Sequence, residues 1–340
     1  KYGTHRVIEP MGVLPQPAKK ISNDMEIYSN EILIDVAALN IDSASFTQIE
    51  EEAGHDIEKI KAKILEIVAE KGKMQNPVTG SGGMLIGKVA KIGSDLVGKT
   101  NLKVGDKIAT LVSLSLTPLK IEKIIDIKPD IDRVEVVAQA ILFESGLYAV
   151  LPTDMEETLA LAALDVAGAP AQTAKLVKPG DKVLILGAAG KSGMMCSYEA
   201  IKRVGPTGMV IGLVRNQEEL NLLKRVNPKI IGMIGDARKP VETLNAVLEI
   251  TGGSEVDVSI NVVNVSDTEM AAILPVRDNG IVYFFSMATS FTKAALGAEG
   301  VGKDVNMIVG NGYTKDHAAI TLEELRESPE LRKIFEELYI

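Results

Sequence analysis

One stretch constrains this chain more than any other: KVLILGAAGKSG, Lys182–Gly193. A run of apolar strand-formers ends at Gly187, and a helical pattern, Met194–Val204, begins directly after Gly193. Small residues let the backbone between them turn sharply and lie close to another group. The first turn of the following helix leaves its N–H groups without intrahelical partners and carries the positive end of the helix dipole. Gly187, Ala189, Gly190, Lys191, Ser192 and Gly193 therefore predict a cradle for a diphosphate, with Gly193 letting the helix lie against the strand. The Gly190-Lys191-Ser192 triplet does not make a triphosphate loop, which needs a glycine where Ile185 stands.

The surroundings of this turn set the fold class. From Thr153 onward apolar strands alternate with helical patterns: Lys182–Leu186, Met209–Val214, Ile230–Ile234, Val256–Val263, Ile281–Met287 and Val305–Val309. Strands that read as nearly continuous apolar runs are those covered by helices on both faces. Six of them predict a doubly wound parallel α/β sheet of the Rossmann type, binding a dinucleotide at the glycine turn. The next strand ends Val214-Arg215-Asn216, where an NAD site usually places an acid for the ribose hydroxyls. Arg215 there favours a 2′-phosphate, so the expected cofactor is NAD or NADP, with a lean to the latter.

The first half reads differently. Glu31–Ala37, Leu85–Ile92 and Ile108–Val112 are short strands separated by Gly and Pro, which predicts a β-rich, barrel-like domain. Within Asp56–Lys71, Ile57, Ile60, Ile64, Ile67 and Val68 recur at intervals of three and four, an amphipathic helix packed on that domain. The expected division is residues 1–152 for the β-rich substrate domain and 153–317 for the dinucleotide domain. A charged C-terminal helix, 318–340, interrupted near Pro329, is expected to pack back on the first domain.

Composition excludes several classes. Cys196 is the only cysteine, which rules out an internal disulfide and a cysteine-based zinc site. His5, His55 and His317 are scattered, so no metal is expected. A net charge of −9 without basic runs argues against nucleic acid and weakly favours a cationic small substrate. No apolar run reaches the ~18 residues of a membrane helix, and a cytoplasmic protein is expected.

Four motifs in order, EILIDVAALNIDSASF (Glu31–Phe46), GSGGMLIGKVAKIG (Gly80–Gly93), KVGDKIA (Lys103–Ala109) and KPGDKVLILGAAGKSG (Lys178–Gly193), resemble the medium-chain dehydrogenase/reductase superfamily. The resemblance implies a GroES-like N-terminal barrel beside the Rossmann sheet; the absent Cys and His ligands place it in a zinc-independent branch. Further stretches, among them GTHRVIEPMGVLPQP, NPVTGSGGM, LVSLSLTPLKIEKI and ILFESGLYAVLPTDM, are similar to the 3,5-diaminohexanoate dehydrogenase family of anaerobic lysine fermentation. That similarity implies oxidative deamination of (3S,5S)-3,5-diaminohexanoate to 5-amino-3-oxohexanoate, written with NAD, and by superfamily analogy a homodimer.

Such a reaction needs a base, a carboxylate for the remaining ammonium and a donor for the substrate carboxylate. Asp42, Glu144 and Asp165 are the candidates, since each interrupts a small or apolar stretch. Ser43, Thr79 and Ser81 are candidate donors to substrate. Arg6 and Lys120 are weaker candidates for the substrate carboxylate, and a solvated charge is the default for both. Cys196 reads as a small buried residue. Two other readings share the fold: a zinc-free NADPH-dependent quinone or enoyl reductase, which wants an apolar pocket without paired acids, and a non-catalytic NADP(H)-sensing protein.

Overall fold

A computed structural model describes residues 1–310 and 312–340. The chain forms two units, Lys1–Thr153 and Asp154–Ile340. The first comprises β1 (Val7–Glu9), β2 (Lys20–Ile21), β3 (Glu31–Asn40), α1 (Ser43–Glu52), α2 (Ile57–Lys71), β4 (Met84–Ile92), β5 (Lys107–Thr110), β6 (Leu119–Lys128), β7 (Arg133–Phe143) and β8 (Tyr148–Val150). The second comprises α3 (Glu157–Leu164), α4 (Gly168–Leu176), β9 (Lys182–Leu186), α5 (Lys191–Val204), β10 (Met209–Val214), α6 (Gln217–Val226), β11 (Ile231–Ile234), α7 (Pro240–Thr251), β12 (Val256–Asn261), α8 (Glu269–Ile273), β13 (Val276–Phe284), α9 (Phe291–Gly300), β14 (Asn306–Val309), α10 (His317–Glu327) and α11 (Pro329–Tyr339). No described helix is long and apolar enough to cross a membrane.

In the first unit β3 is the central strand. The sheet order is β6-β7-β3-β4-β5-β8, and every neighbouring pair is antiparallel. β3 runs against β7 from Glu31↔Phe143 to Asn40↔Arg133 and against β4 from Ile32↔Ile92 to Asn40↔Met84. Both ladders slip between Val36 and Ala38, a bulge that bends the sheet around its core. Alternate residues Ile32, Ile34 and Val36 point inward into the same core as Ile60, Ile64, Ile67 and Val68 of α2, which lies against β6 of the sheet. Burying each of those four side chains contributes roughly 1.5–3 kcal/mol, which is what holds α2 to the sheet. Asp56 caps the helix by accepting from the N–H groups of Glu58 and Lys59.

The amino end of β3 is locked by charge. Arg6 is buried and donates through Nε and Nη2 to the two oxygens of Glu31, at 3.0 and 2.7 Å. Its guanidinium also serves the carbonyls of Asp24 and Glu26, and His5 Nε2 lies 2.8 Å from the same carboxylate. Burial pushes the Glu31 carboxyl up, but Arg6, the Tyr28 N–H and His5 outweigh it and hold it below its ordinary range.

In the second unit six parallel strands run in the order β11-β10-β9-β12-β13-β14. The order reverses at β9, which is central and flanked by β10 and β12. Ligands of such sheets lie beyond the carboxyl ends of the strands at this reversal. β12 stops at Asn261 because that side chain leaves the ladder, donating to Thr268 Oγ1 and accepting from Val263 N. The C-terminal segment is two helices broken at Ser328-Pro329, and it belongs to this second unit. Its apolar residues Leu322, Leu325, Leu331, Ile334 and Phe335 are buried. Thr321 donates to the Ala167 carbonyl, Arg326 to Asp154, and Arg225 of α6 pairs with Glu330 and Glu337.

A pair of buried acids lies in this helical layer. Glu199 on α5 and Glu324 on α10 are both fully enclosed. Arg203 Nε donates to Glu199 Oε1 at 2.8 Å, while Glu199 Oε2 and both Glu324 oxygens have no other hydrogen-bond donor among the described residues. Burial, and then the facing Glu199 carboxylate, push Glu324 well above the ordinary carboxylate range. A shared proton, Glu324 donating to Glu199, is the arrangement that satisfies this chemistry.

Candidate active-site residues

The turn after β9 has the form that the sequence requires of a diphosphate cradle. Gly187 sits at φ +81°, and a side chain on Gly193 would place its Cβ 1.9 Å from the Gly187 carbonyl oxygen. Only glycine fits there. α5 starts at Lys191 with Gly190 as its N-cap and no side chain capping it, so its first-turn N–H groups remain available. The N–H groups of Gly187 and Ala188 are spent on the Leu213 carbonyl, which fixes the turn to β10.

Lys191 and Asp165 occupy one another. Lys191 Nζ lies 2.8 Å from Asp165 Oδ2 and 5.5 Å from the ring centre of Tyr339, at the end of α11. Asp165 is 63% exposed and follows directly on α3. It is thus a surface partner of the turn lysine, not a carboxylate isolated among apolar groups. Arg215 is similarly engaged. It is 84% exposed, and its guanidinium holds Glu219 Oε1 while its own N–H donates to Glu219 Oε2 at 2.8 Å. Glu219 therefore puts a carboxylate at the tip of β10, where Val214 has none. Sequence reasoning passed over it, although an i,i+4 Arg/Glu spacing at a helix start was the signal.

In the first unit the candidates cluster at the carboxyl end of β3. Asp42 caps α1, a helix that the sequence reading had not anticipated; Oδ1 accepts from Ser45 N at 3.0 Å, while Oδ2 is enclosed with no partner among the described residues. Asn40, two residues earlier, also has an enclosed and unpartnered Oδ1. The backbone of Gly83 presses against this bend, and a Cβ there would meet the Asn40 carbonyl at 2.0 Å. Thr79 Oγ1 lies 2.5 Å from Ser45 Oγ and accepts from Ser81 N. Buried Asn76 fixes the loop of residues 76–83: its amide donates to Ser45 O and Gln48 Oε1 and accepts from the N–H groups of Val78 and Thr79. Asn76 was not among the sequence candidates.

The remaining candidates lie elsewhere. Ser43 is exposed and donates to Asp132 Oδ2 at 2.8 Å, a tie between loops. Glu144 is exposed in the turn after β7. Since Phe143 pairs with Glu31, Glu144 sits at the opposite end of β3 from Asp42, on the order of 30 Å along the strand. The two do not form one site. Arg6 is neither solvated nor free, being consumed by Glu31. Lys120 lines a groove of about 840 Å³ midway along β3 with Asp35, Lys88, Glu122 and Gln139. Cys196 is buried, and burial pushes its thiol far above the range of a nucleophile.

A parallel sheet that reverses at an uncapped glycine turn, on a chain whose other unit is an antiparallel sheet, has the architecture of the doubly wound dinucleotide-binding folds. The fold is similar to that of CurK enoyl reductase (TM-score 0.53, 17% identity, 94% of this chain and 81% of that one) and of a mycobacterial protein solved with NADPH (0.52, 17%, 96% and 87%). Residues 5–152 match the L-erythro-3,5-diaminohexanoate dehydrogenase N-terminal domain. The L-erythro-3,5-diaminohexanoate dehydrogenases of Fusobacterium nucleatum and Acetoanaerobium sticklandii are 77% and 74% identical over 340 residues, all of this chain and 99% of each relative. The chain belongs to the L-erythro-3,5-diaminohexanoate dehydrogenase family.

Proposed function

We propose that this protein oxidatively deaminates (3S,5S)-3,5-diaminohexanoate to 5-amino-3-oxohexanoate and ammonium, passing a hydride to a nicotinamide dinucleotide. The carrying observation is identity of 77% across the whole length of a dehydrogenase named for that substrate. The glycine turn fits the cofactor, since Gly193 admits no side chain and the α5 N–H groups are uncapped. The Gly187–Gly193 turn and the first N–H groups of α5 would hold the dinucleotide's diphosphate, and the oxidised nicotinamide, when bound, would supply the acceptor for a hydride from C3. The C3 ammonium first gives up one proton to solvent or a base, its lone pair then drives hydride from C3 to give an iminium, water adds to the iminium carbon, and ammonium leaves as the ketone forms.

The chain's own residues bind and orient. Asp42 is the carboxylate suited to a cationic amino-acid substrate, with an oxygen that no protein group uses. Thr79 and Ser81, on the loop that Asn76 fastens, supply hydroxyls next to it. Asp165 orients Lys191 at the turn, and its role is to position that lysine. We infer NAD as the preferred cofactor, because Glu219 neutralises Arg215 and offers an acceptor to ribose hydroxyls where a 2′-phosphate would meet a like charge. The unpaired outer edge of β14 carries exposed Val309, and exposed Phe291 and Leu296 lie on α9, which supports a homodimer.

The test follows reduced cofactor and released ammonium together, with 3,5-diaminohexanoate and either NAD or NADP. Stoichiometric appearance of both supports the reading; turnover of quinones or enoyl thioesters with no ammonium from the diamine overturns it.

A further inference from the structure

Asn40 and Asp42 present an unusual pair of acceptors. Asn40 Oδ1 and Asp42 Oδ2 are both enclosed and both lack a hydrogen-bond donor among the described residues, although each residue as a whole is only half-buried. They stand two apart in extended backbone, so their side chains leave the chain on the same side. Enclosed acceptors without donors are rare in folded proteins, and two together at the end of one strand call for a donor from outside. One is a neutral amide oxygen and the other a carboxylate, and no cationic side chain is among the hydrogen-bond partners of Asp42. A group with several N–H donors and one positive charge completes both.

We propose that Asn40 and Asp42 together clamp the ammonium group of the substrate that does not react, at C5. This rests on the diamino-acid reading above and names the residues that make the second amine a requirement. The choice between the two amines follows from charge. A carboxylate beside an amide acceptor holds an ammonium in its protonated form. The C3 nitrogen must instead give up a proton before its lone pair can drive hydride from carbon, so such a clamp suits the nitrogen that stays. Gly83 lets its own backbone pack against residues 40–42 and so fixes the bend that carries the pair, because a Cβ there would collide with the Asn40 carbonyl.

The test compares 3,5-diaminohexanoate with 3-aminohexanoate, which lacks the second amine, for wild type, Asn40→Leu and Asn40→Asp, each with its melting temperature. The expected result is that Asn40→Leu lowers the ratio of kcat/KM between diamine and monoamine about tenfold or more, mainly through KM. Asn40→Asp, which keeps an acceptor, retains the preference. An unchanged ratio in Asn40→Leu overturns the clamp, as does a loss of kcat on both substrates alike. A wild type that releases no ammonium defeats the reaction instead. Calorimetric affinities for the two amines then still decide the clamp, which requires tighter binding of the diamine and a diminished difference in Asn40→Leu.

Discussion

Replacing Glu324 by glutamine should stabilise the protein, and by an amount that grows with pH. Both Glu324 and Glu199 are enclosed, and only Glu199 has a cationic partner, Arg203 at 2.8 Å. Lys202 attracts and Glu327 repels a charge on Glu324, but both are secondary to burial and to Glu199. The folded state therefore keeps a proton on Glu324 at pH values where the unfolded chain, with an ordinary carboxyl near 4.5, has released it. With more protons bound in the folded state, stability is fully present below the unfolded value and declines as pH rises towards the folded one. Each pH unit within that window costs about 1.4 kcal/mol. Glutamine keeps the shape, donates to Glu199 Oε2 through its amide and does not titrate. The variant's advantage should widen by about 3–6 °C in Tm per pH unit above 5. Differential scanning fluorimetry at pH 5, 6 and 7 reads this directly. A Tm difference that is flat across these pH values, or that shrinks with rising pH, refutes the shared proton.

Other perturbations act at the two sites. Gly193→Ala forces a Cβ into the Gly187 carbonyl and should weaken NADH binding more than tenfold by fluorescence titration, with a stability cost of about 1–3 kcal/mol. Glu219→Gln frees Arg215 and should move the Kd ratio of NADP to NAD towards NADP by roughly tenfold in equilibrium titrations. Glu144→Ala should leave kcat/KM within a factor of two, as an exposed turn residue remote from Asp42 along β3; a larger loss would return it to the site.

The parallel sheet was legible because its information is local. Continuous apolar strands, interleaved helices and a glycine turn each follow from a few adjacent residues; β9 ends at Leu186 as expected, while α5 begins at Lys191, inside the glycine turn and before the expected Met194. The first unit was harder. β6 is an edge strand whose LKIEKIIDIK exposes most of its side chains, so it lacks the alternation that marked β3. α1 offers only Phe46 and Ile49 to the core in ten residues, with a short aspartate cap as its signal. Among the candidate residues, Asp42 was singled out because a carboxylate after an apolar strand is costly to leave without purpose. Asp165 and Arg215 were chosen for their positions, but their ion pairs with Lys191 and Glu219 depend on contacts that spacing alone did not single out. Asn40 and Asn76 were missed because an uncharged amide carries no mark in sequence. What distinguishes them is an oxygen with no donor and a loop with one fastener.

The lock at the start of β3 makes the opening residues of the chain a working part of the first unit. Clipping by a protease after Arg6 would cut that guanidinium from its own chain segment and leave Glu31 as a bare anion inside the protein. Losing one member of an enclosed ion pair costs about 3–5 kcal/mol, a large share of what keeps a unit of this size folded. Limited digestion at the amino end should therefore not trim the protein gradually. It should proceed from intact chain to wholesale degradation of the β-rich half, with no long-lived shortened species between.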